Sequence, residues 1–326
     1  MSNLASYGVG GSGAIQAWRD LAALERISPR LQLLARMFQG GTISDSNIIL
    51  QGFDEVAILP FLVKAKRARN RVGLVLTNNI SKERFDRSGW VLAGLLRTIF
   101  RWSDRIFYHS DHELELIRRH ITDDRQLLEK CSKLKYHLLG CSHPPFEVDR
   151  NPKSIAFYGP AMESKPWKPI ANLIQRDTRN QFLYRFYNLQ PQVATEIRNT
   201  LEPSSLVEFV SGYQTQQKYL ESIASAGYVF LPHNQLFAGK LSGILCDAVA
   251  CGTPVISDNV EPIGEFCRKY GSIGHVFDFT LDARWPDKFL NTVGNESEYA
   301  RFQRAMEYIR ADHRGERIIE EFVREF

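Results

Sequence analysis

The segment that carries the clearest chemistry opens an expected helix just after a short apolar run. Gly239 and Gly243 flank Lys240 and Ser242 at this opening. Free N–H groups and the positive end of the helix dipole make a helix N-terminus an anion site. The glycines would let a phosphate approach closely, and the lysine and serine would add a charge and a hydroxyl. This pattern predicts a phosphate-binding helix opening.

Asp247 lies one to two turns into the same expected helix, which stops at Gly252. A carboxylate at this place is suited to accept hydrogen bonds from the hydroxyls of a ribose, as acidic residues do in other nucleotide sites. The alternative is an ordinary strand–helix–strand unit in which Gly252 only ends the helix.

The elements that position these residues follow from short apolar runs that alternate with helical patterns, which is typical of parallel α/β proteins. A proline-rich stretch at residues 141–153 predicts a linker. The expected strands are Asn47–Leu50, Val72–Thr77, Arg105–Tyr108, Tyr136–Leu139, Ser154–Tyr158, Gln181–Phe186, Leu206–Val210, Tyr228–Leu231, Pro254–Ser257 and His275–Phe279.

This organisation predicts two doubly wound, Rossmann-like α/β domains that face each other across a cleft. We expect the first domain to span residues 1–145 and the second residues 146–326, with the last helix returning to the first domain. Ligands of such sheets bind beyond the carboxyl ends of the strands. The cleft between two such domains is therefore the expected site.

Composition narrows the class of protein. The chain has 326 residues with 24% charged and 44% hydrophobic residues, which excludes a disordered or fibrous protein. Residues 1–150 carry 22 basic and 16 acidic side chains, so the first half would face an anionic partner or simply be solvated. The five cysteines form no Cys-x-x-Cys pair, and the first residues do not resemble a signal peptide. These features predict a cytoplasmic protein without a metal site.

The ten residues that begin at Asp247, Asp-Ala-Val-Ala-Cys-Gly-Thr-Pro-Val-Ile, resemble the C-terminal signature of retaining, two-domain (GT-B) glycosyltransferases of the family 4 type. That signature has two glutamates separated by seven residues, and the second opens a Glu-Ala-x-Ala-x-Gly-x-Pro-Val run. Here Asp247 takes the place of the second glutamate, and the first would fall at Gly239. The resemblance implies that Lys240, Ser242 and Gly243 bind the donor pyrophosphate and that Asp247 holds the ribose.

Two further segments resemble the same family. In the first, residues 155–165, Gly159 and Lys165 match a strand, a Gly-Arg pair and a lysine that neutralises the pyrophosphate, although Pro160 replaces the arginine. In the second, the glycine-rich residues 7–13, the resemblance implies that Gly10 and Gly11 cover the donor phosphates. The alternatives are a solvated lysine and a glycine-rich terminus without a ligand.

The acceptor side is expected in the first domain. Asn78 or Asn79, at the end of the strand Val72–Thr77, could hydrogen-bond an acceptor hydroxyl but cannot act as a base near neutral pH. In a retaining transfer the donor phosphate itself can take the acceptor proton. Lys165 and Asn78 are therefore the candidate catalytic residues.

A basic run at residues 64–71 and the mixed basic and apolar segment at residues 84–102 suggest contact with an anionic membrane surface. The alternative is that Trp90, Leu92, Leu96 and their apolar neighbours simply pack on the sheet. Nucleic acid is not expected, because the net charge is only +4 and no recognition motif is present.

These observations together predict a glycosyltransferase of polysaccharide biosynthesis, cytoplasmic and peripheral on the inner face of a membrane. It would move a sugar from a nucleotide-sugar donor to a saccharide or lipid-linked acceptor, without a metal or other cofactor. Two alternatives remain: a non-catalytic nucleotide-sugar-binding or partner subunit with the same fold, and a nucleotide-sugar epimerase.

Overall fold

The computed structural model describes residues 44–136, 148–202, 206–212, 214–240, 242–292 and 294–325. These residues form two parallel β-sheets with helices packed against them. We refer to residues 44–136 as the first unit and to residues 148–312 as the second unit. The expected alternation of strands and helices is confirmed.

The sheet of the first unit has four parallel strands in the order β1-β2-β3-β4. The strands are β1 Asn47–Gln51, β2 Arg71–Val75, β3 Arg105–Tyr108 and β4 Cys131–Lys133. The fourth strand was expected at Tyr136–Leu139, of which only Tyr136 belongs to the described residues. The pairing partner of Ile106 is Cys131 in a short polar strand, whereas Tyr136 lies beyond the strand, where its ring stacks between those of His109 and His313.

The helices of the first unit follow their strands in sequence. They are α1 Ile58–Arg67, α2 Lys82–Trp102, α3 Asp111–Leu116, which continues into a π-helical turn at Ile117–Ile121, and α4 Arg125–Leu128. Ser81 begins α2 because its side chain accepts the N–H of Arg84. Leu96 and Phe100 of α2 are fully buried in the core.

The sheet of the second unit has six parallel strands in the order β10-β9-β8-β5-β6-β7. The strands are β5 Asn151–Tyr158, β6 Leu183–Tyr187, β7 Val207–Val210, β8 Ala226–Leu231, β9 Val255–Asp258 and β10 Gly274–Phe277. The chain runs outward from β5 in one direction and from β8 in the other. The strand order therefore reverses between β5 and β8, and crevices at such a reversal bind ligands in open α/β sheets.

Helices cover both faces of this second sheet. They are α5 Lys168–Arg176, α6 Pro191–Thr200, α7 Gln216–Ser225, a 3-10 turn at Gln235–Phe237, α8 Gly243–Cys251, α9 Ile263–Tyr270, α10 Trp285–Thr292 and α11 Glu296–Asp312. The chain then forms one more helix, α12 Gly315–Glu325. One core lies under α7, α8 and α9, and the other lies under α5 and α10. The C-terminal part of the chain thus forms two helices with a break at residues 313 and 314.

The last helix, α12, packs on the sheet of the first unit. The Phe322 ring meets that of Phe107 edge-on at 4.9 Å between centroids. The hydroxyl of Ser132 donates to the Glu325 carboxylate at 2.7 Å, and Ile318 is buried against Val75. The end of the described chain therefore lies on the unit where it begins.

None of the described helices combines the length and the apolar composition that a membrane span requires.

Candidate active site

The loop after β8 (residues 232–240, the β8 loop) lies between the second sheet and the first unit. Gly239 has φ of +81°, and a Cβ added there would be 2.9 Å from Cδ1 of Leu116 and 3.3 Å from the Ile80 carbonyl oxygen. Both neighbours belong to the first unit. Only glycine suits this backbone and this close approach, so position 239 has no room for the carboxylate that the family pattern has there.

Lys240 connects the β8 loop to helix α2. Its Nζ pairs with the carboxylate of Glu83, and the two side chains are only 15% and 21% exposed. The same Nζ lies 5.7 Å from the centroid of the Phe237 ring. Lys240, which was predicted to bind phosphate, therefore lies between the two units and is paired with a carboxylate.

The opening of α8 combines a closed side with an open side. Ser242 is 1% exposed, and its hydroxyl accepts the N–H of Leu245 at 3.3 Å. That hydroxyl, predicted as a phosphate contact, thus serves as the helix cap. Gly243 is exposed, and a Cβ added to it would meet open space. The N–H groups of a first helical turn have no partner within the helix, so the opening at Gly243 is accessible to an anion.

Asp247 lies inside the second unit on α8 and is 4% exposed. The hydroxyl of Tyr219 on α7 donates to its Oδ2 at 2.8 Å. The other oxygen, Oδ1, is buried and has no hydrogen-bond partner among the residues that the structure describes. Burial raises the pKa of Asp247 to about 6, and the Tyr219 hydrogen bond acts in the opposite direction. The carboxyl therefore retains one acceptor atom for a ligand.

The loop after β5 brings a second lysine to the same place. Lys165 Nζ lies 5.0 Å from the centroid of the Phe237 ring, so Lys165 and Lys240 both contact one aromatic ring. Gly159, predicted to bind the donor, packs closely against the loop after β6. Its N–H donates to the Tyr187 carbonyl at 2.8 Å, and a Cβ there would lie 2.5 Å from the Asn188 oxygen. The close packing against the loop after β6 explains why residue 159 is a glycine. Its amide is already bonded to Tyr187.

His233, which the sequence analysis did not single out, lies at the centre of this group. Its ring stacks on that of Phe237 at 3.8 Å between centroids and 1° between planes. The residue is 1% exposed, and neither ring nitrogen has a hydrogen-bond partner among the described residues. Burial, followed by the charges of Lys165 and Lys240, lowers the pKa of His233 well below its ordinary value. An unpartnered buried polar group costs about 1–3 kcal/mol, which makes this ring a candidate for ligand contact.

Asn78 ends the segment after β2, on the side of the first unit that faces Gly239. Its side chain is exposed, and its carbonyl accepts a hydrogen bond from Arg84 at 3.2 Å. The adjacent Asn79 is buried and donates to Glu55 at 2.8 Å. Although burial alone would raise it, the pKa of Glu55 is lowered by the hydrogen bond and charge of Arg84. This network fixes the segment and leaves the Asn78 amide facing outward.

Gly10 and Gly11 fall outside the described residues. Val210 and Ser211 line a pocket of about 260 Å³ at the ends of β6 and β7. The structure therefore brings together Lys165, Lys240, Gly243 and the opening of α8 beside the first unit, with Asp247 further along α8.

Comparison with known proteins finds similarity in structure alone. No protein-family model matches the chain, and neither does any curated protein. Similar solved structures include a TarM mutant from S. aureus in complex with fondaparinux, alpha-GlcNAc-glycerol and UDP, at a TM-score of 0.65 and 15% identity over 85% of this chain and 55% of that chain. The pneumococcal O-GlcNAc transferase GtfA in complex with UDP and GlcNAc matches at a TM-score of 0.66 and 10% identity, over 91% of this chain and 59% of that one.

A third similar structure is Anabaena HepE in complex with UDP and glucose, with a TM-score of 0.67 and 11% identity over 93% of this chain and 82% of that chain. The chain thus spans 55% to 59% of the length of the TarM and GtfA chains. Identities of 10% to 15% establish a shared fold. The chain accordingly has the GT-B fold, in which two Rossmann-like domains face each other across a cleft.

Proposed function

We propose that this chain is a glycosyltransferase that moves a sugar from a nucleotide-sugar donor to a saccharide or lipid-linked acceptor. The observation that carries the proposal is the convergence of Lys165, Lys240 and the open N-terminus of α8 beside the strand-order reversal of a GT-B fold. Three similar structures contain UDP, and one of them also contains glucose. The signature that begins at Asp247 supports a relationship to the retaining family 4 type.

In this proposal the second domain, residues 146–326, binds the donor. Lys165, Lys240 and the first N–H groups of α8 neutralise the diphosphate, with Gly10 and Gly11 covering it from the first domain, residues 1–145. The free Oδ1 of Asp247 accepts a ribose hydroxyl. Fixed charges and helix dipoles of this kind stabilise the departing diphosphate and so lower the barrier to transfer.

Asn78 and its neighbours bind the acceptor in this proposal. An exposed amide is suited to orient a hydroxyl, and in a retaining transfer the donor phosphate receives the proton. No metal or other cofactor takes part. The cysteine pattern supports a cytoplasmic location.

A non-catalytic nucleotide-sugar-binding subunit is the main alternative, and one observation favours it. Position 239 has no room for an acidic side chain that would contact the donor sugar. A nucleotide-sugar epimerase is less well supported, since it needs an acid and a base in the cleft.

Calorimetry and donor turnover separate these functions. We expect UDP, GDP or ADP to bind wild type, and the matching nucleotide-sugar to be hydrolysed slowly or transferred to an acceptor saccharide. Lys165→Met should weaken binding about tenfold because a charged contact is lost. Lys153→Met, at the exposed start of β5, is the matched control and should change nothing. Binding without turnover would support the non-catalytic subunit, and an absence of binding would refute both.

The acceptor, in the lipid-linked form of the proposal, lies on an anionic membrane surface. Helix α2 supports this, because Trp90 is 86% exposed and Val91 54% exposed on the same helix as the exposed Arg97 and Arg101. Leu92, Leu96 and Phe100 instead pack in the core, as the alternative interpretation expected for them. The basic run before α2 is partly neutralised internally, since Lys66 pairs with Asp104 at 2.5 Å.

Co-sedimentation with vesicles of anionic and of neutral phospholipid tests this location. Trp90→Ala should lower recovery with anionic vesicles about threefold, because an interfacial tryptophan is lost. Leu281→Ala removes an equally exposed apolar side chain from the second unit, 85% exposed in this case, and should leave recovery unchanged. Equal recovery of wild type and Trp90→Ala would remove the membrane from the proposal.

A further inference from the structure

The β8 loop holds the imidazole of His233 in one place. Asn234, the next residue, donates from its backbone to the Ser164 carbonyl at 3.2 Å and from its side chain to the Glu163 carbonyl at 2.7 Å. Its Oδ1 accepts the N–H of Leu236 at 3.0 Å and so shapes the 3-10 turn that carries Phe237. The loops after β5 and β8 are thereby joined, and the stacked ring is fixed at the strand-order reversal.

The surroundings of this ring are arranged for an anion. The ammonium groups of Lys165 and Lys240 lie 5.0 and 5.7 Å from the centroid of Phe237, the ring on which His233 stacks. A third positive charge between two lysines would be strongly disfavoured. Burial and the two charges keep the pKa of His233 low, so the ring is neutral, with one nitrogen that donates and one that accepts.

A neutral imidazole with both nitrogens unpartnered among the described residues is costly unless a ligand uses one of them. Within the described structure the ring is buried and stacked on Phe237, and Lys240, 5.7 Å from the Phe237 centroid, pairs with Glu83. A diphosphate that takes the place of the Glu83 carboxylate at Lys240 would reach the edge of the histidine ring. The lysines then supply charge, and the histidine supplies a directed hydrogen bond without adding repulsion.

We propose that His233, as a neutral hydrogen-bond donor stacked on Phe237, contacts the diphosphate of the nucleotide donor between Lys165 and Lys240. This inference rests on the proposed function and adds a residue to its site. It also assigns Phe237 the role of a platform that orients the ring. His233 thereby favours nucleoside diphosphates over monophosphates.

The test compares the affinities of UDP and UMP, measured by calorimetry, in wild type and in His233→Phe, with GDP/GMP and ADP/AMP as replacements if those bind better. Phenylalanine keeps the stacking on Phe237 and removes the N–H. We expect the diphosphate affinity to fall about tenfold and the monophosphate affinity to fall less than threefold, since a hydrogen bond to a charged group is lost. His233→Gln, which keeps an N–H donor, should recover most of the diphosphate affinity.

His275→Phe is the matched control, because His275 is also buried among aromatic rings of the second unit, beside Tyr228 and Phe289. It should leave the ratio of diphosphate to monophosphate affinity unchanged. An unchanged ratio in His233→Phe would overturn the inference and leave the proposed function standing. If wild type binds none of the six nucleotides, the proposed function and this inference fail together. If His233→Phe does not fold, His233→Leu decides in its place.

Discussion

Asp247 and Lys240 are both charged residues near the opening of α8, yet their partners come from different parts of the molecule. Asp247 is held by Tyr219, on the neighbouring helix of the same unit. Lys240 is held by Glu83, which lies on the first unit and is 157 residues away in sequence. The difference indicates that the ribose part of the proposed site exists within the second unit alone. The phosphate part depends on how the two units meet.

The largest effect is expected for Asp247→Asn, which tests the ribose part of the proposed site, the part that lies within the second unit alone. Asparagine keeps the volume and the hydrogen bond from Tyr219 but removes the charge. The affinity for UDP should fall by about 1.5–3 kcal/mol, roughly 10- to 100-fold, on the scale of a hydrogen bond to a charged group. Calorimetry with UDP and with 2′,3′-dideoxy-UDP measures this.

The dideoxy nucleotide provides the control for Asp247→Asn. If Asp247 contacts the ribose hydroxyls, the substitution should have little effect on the dideoxy compound. An equal loss of affinity for both nucleotides would assign Asp247 a structural role. It would contradict the inference that the ribose part of the site lies within the second unit.

A smaller effect is expected for Glu83→Gln, which tests the part shared between the units. The ammonium of Lys240 would lose its carboxylate in a largely buried place, so the free energy of unfolding should fall by about 1–3 kcal/mol. The affinity for UDP should rise about threefold, because the phosphate no longer competes with Glu83. Thermal unfolding with and without UDP measures both quantities. Asp86→Asn, on the same helix and exposed, is the control, and a loss of UDP affinity in Glu83→Gln would contradict the exchange of partners.

The smallest effect is expected for Tyr219→Phe, which tests the contact between Tyr219 and Asp247 through the dependence of UDP affinity on pH. The pKa of Asp247 is raised to about 6 by burial, and the Tyr219 hydrogen bond opposes that rise. Without this bond the pKa should rise further. Since the ionised carboxylate is the better acceptor, UDP affinity should decline as pH falls through about 6 in wild type and at higher pH in the variant.

At pH 7 the loss of UDP affinity in Tyr219→Phe should be about twofold. The free energy of unfolding changes with pH in the opposite direction to the UDP affinity. A raised pKa contributes stability that is complete below the ordinary value of 3.8 and is lost as pH rises through about 6. Binding and unfolding measured from pH 5 to pH 8 check both trends, and identical pH profiles for wild type and Tyr219→Phe would exclude the coupling.

Much of the fold was accessible from the sequence because buried parallel strands appear as apolar runs. Nine of the ten strands in the described residues lie where such runs predicted them, within a few residues. β4 was missed because Cys131-Ser-Lys133 is short and only partly buried, while the apolar residues just after it do not form a strand in the described structure. Hydrophobic pattern therefore finds core strands and overlooks polar edge strands.

The candidate site was only partly accessible for a different reason. The helix opening was found from local spacing and Lys165 from the family resemblance, and the structure brings them together. Sequence gave no sign of the pairing between Lys240 and Glu83, because it joins residues from separate units. His233 had no motif around it, and its importance depends on burial and missing partners. The hydroxyl of Ser242 and the amide of Gly159 proved to be used by the fold itself.

The packing of α12 on the first sheet has a mechanical consequence. Residues 44–136 form the first unit, residues 148–312 the second, and Gly315–Glu325 pack on the first again, so within the described ranges the chain joins the units twice. Two chain connections oppose a twisting rotation of one unit against the other. The motion that they restrict least is a rotation about the line that joins the two connections. Opening of the cleft to admit a donor would then be a hinge motion, with the ion pair of Lys240 and Glu83 at the edge of the cleft.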